Sequence, residues 1–554
     1  MSQQSSQQWD ITTDLLIAGT GVSGLGAAIA GVDSGAEVLV VESTDKWGGT
    51  TFLSGGALWL PDNPVMKRDK AGDSEKSALE YLNAVVDDVG PASSPARKLA
   101  FLRGVGDSVS TLEKYGVKWL RSKDYPDYFS HKPGGRLGRC LEVKPFDVNK
   151  LGDWYSKTRA EAVMQLPLCL GDFSDLARGF RNARALIRLT RLMFRKLSGD
   201  LTGRKLRGMG VSLACALMHI VRSKNIPVWL NSPIVDLIFE GNEVVGAIIN
   251  KEGRTQRVRA RRGVILGTGG FAHNREWREK HHGFSGWSST APGDDGSGIQ
   301  IGLNAGADSA LLDLGWWVPV IPFPGDPTKG MLLIWERSMP HAIVIDQNGK
   351  RFVNESLPYV EFIQAIIDHR QNTPCFPSWI VTDHSHERYL NLAYMVGVDN
   401  LKAEGTIVEA ATLSELAAKI GVPAANLAAT VERFNRFAQT GVDEDFHRGE
   451  NEYENYYGDP SGRRNPNLGE LKTGPFRAMK LMPGDIGTKG GLLTDEYARV
   501  LDKHGSAIAG LYAAGNTTAT VMGQTYPGAG GTLGPALVFG FIGARHAAKR
   551  TPSQ

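Results

Sequence analysis

The chain has 554 residues and a mass of 60.0 kDa, which is too long for one ordinary core and predicts two domains. With 42% hydrophobic and 22% charged residues, its composition is typical of a soluble globular protein. A net charge of +3 is too small to indicate a nucleic-acid partner, and the four scattered cysteines form no C-x-x-C pair. We therefore expect free thiols, no disulfide framework and no metal site.

The start of the sequence, MSQQSSQQWD, lacks the charged and apolar regions of a secretory signal. No apolar run reaches the roughly 18 uninterrupted residues that a membrane-spanning helix needs. These two observations predict a cytoplasmic enzyme.

A dinucleotide-binding pattern begins at Asp14, where DLLIAGTGVSGLGAAIAGVDSGAEVLVVES reads as strand, glycine turn, helix and second strand. In this pattern Gly19 permits the tight turn, Gly21 lets the backbone approach a pyrophosphate, and Gly24 lets helix and strand pack closely. The helix amino terminus favours the phosphate charge. Glu42, at the end of the second strand, is expected to accept hydrogen bonds from a ribose hydroxyl. This pattern alone does not choose between NAD and FAD.

Residues 176–197, within a basic element of about 165–210, read LARGFRNARALIRLTRLMFRKL. Apolar positions recur at intervals of three and four, and arginines occupy the other faces. Such a helix can lie in a membrane interface, here on the inner face. It can equally be a surface helix whose arginine face is solvated. The sequence leaves both interpretations open.

Further glycine-rich segments indicate which cofactor is bound: KWGGTT at 46–51 with SGG at 54–56, VILGTGGF at 264–271, and GLYAAGN at 510–516. Together they resemble the flavoprotein family of succinate dehydrogenases, fumarate reductases and ketosteroid dehydrogenases, in which such distant segments converge on one FAD. The resemblance implies an FAD site made by Gly19, Gly21, Ser23, Gly24, Glu42, Gly49, Thr50, Thr51, Ser54, Gly55, Gly56, Val235, Gly269, Gly515, Asn516, Gly531 and Leu533.

The second glycine segment departs from part of that family. Respiratory members attach FAD covalently through a histidine that follows this segment. Residues 48–56 contain Thr50, Thr51 and Ser54 but no histidine. The departure predicts a non-covalent, dissociable FAD.

Because both ends of the chain carry FAD motifs, a second domain must be inserted between them. The expected fold is α/β: a Rossmann-like FAD-binding domain made by residues 1–280 and 480–554, with an α+β catalytic domain at 281–479. Substrate is expected at the interface of the two domains.

The segment TYPGAGGTLGP, residues 525–535, precedes a helical stretch and presents backbone N–H groups to negative charge. The phenol of Tyr526 and the N–H of Gly530 could form an oxyanion hole for an enolate. The segment resembles the 3-ketosteroid Δ1-dehydrogenases, in which a tyrosine and a glycine of this motif bind the C3 keto oxygen. The resemblance implies that role for Tyr526 and Gly530, and it implies a 3-ketosteroid substrate.

Two further tyrosine positions follow from the same resemblance. Tyr359, after DQNGKRFVNESLP, matches the base that removes a C2 proton while the C1 hydrogen leaves as hydride to flavin N5. In YPDY, either Tyr125 or Tyr128 matches a supporting phenol, with a weak preference for Tyr128. A phenol suits a hydrocarbon substrate because its body is apolar and only its tip is polar.

Other functions stay open at this stage. A 3-ketosteroid Δ4-(5α)-dehydrogenase would carry a serine near the keto-binding tyrosine, and residues 526–528 have none. A fumarate-reductase-like enzyme would need convergent Arg and His residues, for which only Arg337 and Arg351 stand out. A redox-sensing protein without enzymatic activity would not explain the tyrosines. An external electron acceptor is expected, and a quinone would suit a membrane-attached enzyme.

Overall fold

In the computed structural model the described residues are 9–178, 183–323, 330–389 and 398–552. The largest sheet has eight strands and combines both ends of the chain. Its parallel core runs, in spatial order, Ala507–Ala513, Arg254–Leu266, Ile11–Ala18, Val38–Val41 and Val228–Trp229. The antiparallel strands of this sheet are Ile234–Glu240, Glu243–Lys251 and Arg499–Leu501.

The central strands are short apolar runs because helices cover both faces of the sheet. All four residues of Val38–Val41 are buried. On one face the helices Val22–Asp33 and Leu533–Ala548 lie so close that a Cβ at Gly540 would come within 2.4 Å of the Ser23 carbonyl oxygen. The two ends of the chain therefore form one domain.

A second, six-stranded antiparallel sheet belongs to the inserted part of the chain. Its strands, in spatial order, are Gly330–Leu332, Gly315–Pro322, Phe476–Thr488, Ser378–Thr382 and Ala342–Ile345, and Ile407–Ala410 also pairs with Phe476–Thr488. The helices Leu413–Ile420 and Ala424–Thr440 contribute to its separate apolar core. These two sheets confirm the predicted α/β fold with an inserted α+β domain.

The described residues form three smaller sheets as well. In one, Cys140–Val143 lies between Leu58–Trp59 and Trp119–Arg121. The other two are pairs of strands: Phe146–Asp147 with Leu206–Arg207, and Ser309–Ala310 with Gly491–Leu492. The remaining α-helices of the described residues are Gly49–Leu53, Pro64–Arg68, Glu75–Val85, Pro95–Lys114, Leu170–Ala177, Ala183–Leu201, Met209–Ser223, Arg275–His282, Ser297–Asn304, Tyr359–Arg370, Val398–Ala403 and Glu452–Tyr456.

The expected domain limits fall inside regular elements at both ends of the insertion. The limit at residue 280 lies inside the helix Arg275–His282, and the limit at 480 lies inside the strand Phe476–Thr488. That strand pairs with three other strands of the second sheet, so residues 480–488 continue this sheet. Pro483-Gly484, a pair typical of turns in a sequence, is part of this strand.

The basic segment at 176–197 is not one helix. The helix Leu170–Ala177 ends at its second residue, and the helix Ala183–Leu201, called here the arginine helix, covers most of it. Residues 179–182 lie outside the described part of the chain. The arginine helix turns apolar side chains outward, among them Phe194 at 72% exposure. Arg184 and Arg191 are exposed as well, so the outer side of the helix is both apolar and cationic.

Candidate functional site

The glycine motifs meet at one edge of the parallel sheet. Ala18 pairs with both Val41 and Leu266, and Leu266 pairs with Ala513, so these strands end at the same level. The next residues along each strand are Gly19, Glu42, Gly267 and, one position later, Gly515. Ligands of open α/β sheets bind in the crevice outside these carboxyl ends.

A cavity with about 1410 Å³ of empty space, including its open mouth, lies at this edge. Two side chains of the second sheet, Leu332 and Ile486, join residues of the FAD-type domain in its wall. Among the predicted cofactor residues, those that line the cavity are Gly19, Gly21, Ser23, Glu42, Gly49, Thr50, Thr51, Ser54, Gly55, Gly269, Gly515, Asn516 and Leu533.

The three fingerprint glycines have distinct surroundings. Gly19 has a φ of +101°, and a Cβ there would lie 2.2 Å from the Gly267 carbonyl oxygen. A Cβ at Gly24 would lie 2.0 Å from the Gly19 carbonyl oxygen. At Gly21 the nearest atom would be Thr51 Oγ1, at 3.6 Å, so this glycine leaves its side open to the cavity. The arrangement fits a pyrophosphate that approaches the backbone at Gly21.

Glu42 is 8% exposed and lines the cavity. Its Oε2 accepts hydrogen bonds from the backbone N–H and the hydroxyl of Thr20, and its Oε1 accepts from the backbone N–H and the hydroxyl of Thr44 and from the hydroxyl of Ser43. Because serine and threonine hydroxyls rotate, a ribose hydroxyl can replace one of these donors. The carboxylate is thus held in place before a ligand binds.

Four of the predicted cofactor residues do not line the cavity. Gly24 packs inside the strand–helix turn, and a Cβ at Gly56 would clash with the Met209 backbone. Gly531 packs against the Tyr526 ring. Val235 is 54% exposed on an edge strand, and its neighbour Ile234 lines the cavity instead. A shift by one residue turns a strand side chain to the opposite face.

The lining residues that escaped the sequence analysis include two charged ones. Asp294 is buried, accepts hydrogen bonds from the Gly270 N–H and the Thr50 hydroxyl, and has a pKa raised to about 7 by burial. Arg159 donates to Thr44 Oγ1 at 3.1 Å. Both belong to segments without a recognisable motif, so only the folded chain shows their role.

Three tyrosines from distant segments form a compact cluster beside the cavity. The ring centroids of Tyr128, Tyr359 and Tyr526 lie 5.2–5.7 Å apart, and the Tyr128 hydroxyl donates to the Tyr359 oxygen at 3.2 Å. All three are at most 8% exposed. The Tyr526 hydroxyl also interacts with the side chain of Thr532, which lines the cavity. The cluster therefore adjoins the cavity.

Local backbone structure places the two motif residues. Gly530 has a φ of +89°, and a Cβ there would lie 2.3 Å from the Ala57 carbonyl oxygen. This turn directs the Gly530 N–H to the Tyr526 hydroxyl oxygen, at 3.2 Å. The phenol and the backbone N–H are thus adjacent donors, and an oxyanion hole requires two donors within reach of one oxygen.

The tertiary structure distinguishes the two tyrosines of YPDY. Tyr128 contacts Tyr359, and its backbone N–H donates to the Pro527 carbonyl at 3.0 Å. Tyr125 instead shares a 2.8 Å hydrogen bond with Tyr457. The loop that carries Tyr128 is therefore bonded to the turn that carries Tyr526. This geometry favours Tyr128 as the supporting phenol.

Burial sets the acidity of the cluster. It raises the pKa of Tyr359 well above its usual value, whereas the hydrogen bond from Tyr128 acts in the opposite direction. Burial likewise raises the pKa of Tyr526. At neutral pH the phenols are protonated, so Tyr526 can donate a hydrogen bond, and only the rare ionised form of Tyr359 could take up a proton.

Comparisons with known proteins identify the family of this chain. The family model described as FAD binding domain matches residues 14–533. The chain is 39% identical to a 3-oxosteroid 1-dehydrogenase of Mycolicibacterium smegmatis, over 96% of both chains. It is 33% identical to the 4-oxocyclohexanecarboxylate 2-dehydrogenase of Sinomonas cyclohexanicum, over 96% of this chain and 92% of that protein.

Among solved structures, the 3-ketosteroid Δ1-dehydrogenase of Sterolibacterium denitrificans in complex with 1,4-androstadiene-3,17-dione superposes with a TM-score of 0.90. It is 35% identical and covers 97% of this chain and 99% of its own. The open side of Gly21, the hydroxyl-bonded Glu42 and the apolar walls fit FAD. The protein is an FAD-dependent dehydrogenase, and it belongs to the FAD-binding domain family of flavoproteins that includes the 3-oxosteroid 1-dehydrogenases.

Proposed function

We propose that the protein introduces a double bond between C1 and C2 of 3-ketosteroids. The observation that carries this proposal is the cluster of three buried phenols with the Gly530 N–H beside the FAD cavity. Relatives named 3-oxosteroid 1-dehydrogenase that align over nearly the whole chain support it.

In this proposal Tyr526 and Gly530 donate hydrogen bonds to the C3 keto oxygen. Both donors stay close to that oxygen as it gains negative charge, which makes the C2 protons more acidic. Without substrate the Gly530 N–H donates to the Tyr526 oxygen. With substrate bound it donates to the keto oxygen instead. The phenol is free to donate because its raised pKa keeps it protonated.

Tyr359 is the proposed base for the C2 proton. Ionising a phenol of ordinary pKa at pH 7 costs about 4 kcal/mol, and burial adds to this cost. The hydrogen bond from Tyr128 offsets part of it because it stabilises the charged oxygen. When bound, the flavin supplies the acceptor for the C1 hydrogen as a hydride.

The apolar surroundings favour a steroid over a small charged ketone. The Trp316 ring packs 5.2 Å from the Tyr526 ring, and the Tyr453 ring packs 4.5 Å from the Tyr128 ring. Trp316 and Tyr453 are both buried. An ionised carboxylate placed among these rings would lose its hydration. The Sinomonas relative named for a cyclohexanone carboxylate supplies the competing substrate class.

Anaerobic mixing with androst-4-ene-3,17-dione tests the proposal. We expect the flavin absorbance to bleach and the spectrum of the cross-conjugated dienone to appear. Bleaching only with a 5α-saturated 3-ketosteroid would indicate Δ4-desaturation, and bleaching only with 4-oxocyclohexanecarboxylate would indicate the smaller substrate class. If the enzyme reacts with none of these ketones but oxidises a reduced dye with fumarate as acceptor, the steroid assignment is refuted.

We also propose that the FAD is held non-covalently. Residues 48–56, most of which line the cavity, offer hydroxyl groups but no histidine to form a bond to the isoalloxazine ring. Acid precipitation is expected to leave the yellow colour in the supernatant. A yellow pellet would indicate a covalent bond to another side chain.

We further propose that the arginine helix contacts an anionic bilayer surface, where a quinone acceptor would be available. Two of its arginines point inward: Arg188 pairs with Asp175 at 2.8 Å and Arg195 with Asp172 at 3.3 Å. Arg184 and Arg191 lie on the exposed part of the helix. The exposed apolar side chains of this helix are Leu186, Ile187, Met193, Phe194, Leu197 and Leu201.

This combination of apolar and cationic side chains matches an interfacial helix. No helix among the described residues is long and apolar enough to cross a membrane. The proposed contact is therefore peripheral.

Replacing both Phe194 and Leu197 by glutamate is expected to weaken binding to phosphatidylglycerol vesicles by at least about tenfold, because two apolar contacts are lost and two like charges are added. Vesicle flotation at several lipid concentrations measures the effect. Val442→Glu, at a 52% exposed apolar position in the inserted domain, is the matched control. A different result would contradict the membrane contact: the wild-type protein does not bind the vesicles but forms dimers, and the double variant does not form them. This face would then be the interface with a second copy of the chain.

A further inference from the structure

Two buried charged residues hold the turn that carries Tyr526. Lys489 is 1% exposed, and its Nζ donates hydrogen bonds to the backbone carbonyls of Gln524 and Thr525, the latter at 3.1 Å. Glu361 Oε1 accepts a 3.1 Å hydrogen bond from the backbone N–H of Tyr526. Three consecutive residues are thus each bonded to one of these two side chains.

Glu361 connects both proposed catalytic tyrosines. It lies two residues after Tyr359, in the first turn of the helix Tyr359–Arg370. One side chain therefore ties the helix that begins with the proposed base to the backbone of the keto-binding residue. The second carboxylate oxygen, Oε2, is buried without a hydrogen-bond partner among the described residues.

Lys489 supports the other side of the turn. Its Nζ lies 4.6 Å from the centre of the Trp316 ring, which packs 5.2 Å from the Tyr526 ring. Trp316 in turn donates to Asn516 Oδ1 at 3.2 Å, at the wall of the FAD cavity. Burial lowers the pKa of Lys489 to about 7, and the charge of Glu361 opposes that shift.

A buried pair of opposite charges is weak evidence for a role in stability, since apolar side chains of equal volume often serve a fold as well. This pair instead makes hydrogen bonds to three backbone groups in succession, which fixes the direction of one turn. The turn has a second set of anchors in the FAD domain, where Tyr81 donates to the Pro527 carbonyl at 2.6 Å. Tyr526 therefore lies between anchors from two domains.

We propose that Glu361 and Lys489 are positioning residues, which fix the Tyr526 hydroxyl relative to Tyr359. The inference rests on the proposed function, because it takes Tyr526 as the group that binds the keto oxygen. A displacement of about 1 Å at a reacting group can cost on the order of 10²-fold in rate. Loss of either anchor should therefore lower turnover through Tyr526.

A double-mutant cycle between Lys489→Met and Tyr526→Phe tests this coupling. The rate of flavin reduction by androst-4-ene-3,17-dione is measured in anaerobic single turnovers. In the wild-type background Lys489→Met is expected to lower this rate about 10- to 100-fold, and to do so at saturating steroid concentration as well. In the Tyr526→Phe background the same substitution should change it less than about threefold, because the group that it positions is already gone.

Equal losses in the two backgrounds would overturn the inference, since a merely structural role lowers both alike. Wild-type protein that fails to react with the steroid would instead refute the proposed function. The two failures are therefore distinguishable.

A second pair of variants keeps the test decisive if Lys489→Met is isolated without FAD. Glu361→Gln retains an oxygen that can accept from the Tyr526 N–H, whereas Glu361→Ala does not. The glutamine variant is expected to keep the larger part of the activity, and the alanine variant should lose about tenfold or more. The alanine loss should disappear in the Tyr526→Phe background. Equal activity of the two Glu361 variants, at equal FAD content, would overturn the inference.

Discussion

Replacing Tyr359 by phenylalanine is expected to lower the rate of flavin reduction by a 3-ketosteroid about 10²- to 10⁴-fold, the usual contribution of a positioned base. The substitution keeps the ring that packs against Tyr128 and Tyr526 and removes only the oxygen that takes the proton. Stopped-flow absorbance under anaerobic conditions measures the loss. The FAD content should not change, because Tyr359 does not line the cofactor cavity.

The pH profile gives a second readout of the same variant. The pKa of Tyr359 is raised, so the ionised fraction is small at pH 7 and grows about tenfold per pH unit until the pKa is reached. The wild-type kcat/KM should therefore rise with pH across the mildly alkaline range. The residual rate of Tyr359→Phe should lack this rise.

Tyr512→Phe is the matched control. Tyr512 is buried and its hydroxyl also has a partner, the His546 ring nitrogen at 2.9 Å, but it lies outside the tyrosine cluster. The control variant should reduce its flavin at the wild-type rate. If Tyr359→Phe also lowers the rate of flavin reduction by less than about threefold, another group removes the proton.

Replacing Tyr526 by phenylalanine should cost about 10²- to 10³-fold in kcat/KM, because one of two donors to the developing oxyanion is lost. The Gly530 N–H remains, which explains why the expected loss has a limit. FAD binding should be retained, since Thr532 and Leu533, rather than Tyr526, line the cavity.

Steroid binding separates the two tyrosine variants. Titration with 1,4-androstadiene-3,17-dione, followed through the flavin spectrum, should show weaker binding in Tyr526→Phe. Tyr359→Phe should bind this compound about as well as the wild type, because both keto-oxygen donors are intact. Undiminished turnover in Tyr526→Phe would refute the assignment of the keto-binding site.

Much of the cofactor site could be predicted because its requirements are local. Gly24 is needed within one strand–turn–helix, where the Gly19 carbonyl leaves no room for a Cβ, and Gly19 has a φ of +101°, which favours glycine. Glu42 follows a strand whose length and apolar pattern are visible in the sequence. Parallel strands then bring their carboxyl ends to one edge, whatever lies between them.

Positions without a regular pattern could not be predicted in the same way. Val235 and Ile234 differ only in which face of an edge strand they occupy, and the register of that strand is set by its neighbour. The expected limit at 480 lies inside a single long strand, Phe476–Thr488, because the turn pair Pro483-Gly484 is part of that strand.

The sequence alone determined that this chain is an α/β flavoprotein with an inserted domain and that Tyr526 and Gly530 share one motif. Periodicity also showed that residues 176–197 have two unlike faces. Only the tertiary structure decided that the apolar face is the exposed one, that Tyr128 rather than Tyr125 contacts Tyr359, and that Glu361 and Lys489 hold the Tyr526 turn. The physical reason is that these choices depend on contacts between segments far apart in the chain, whereas glycine turns and strand patterns depend on neighbours in sequence.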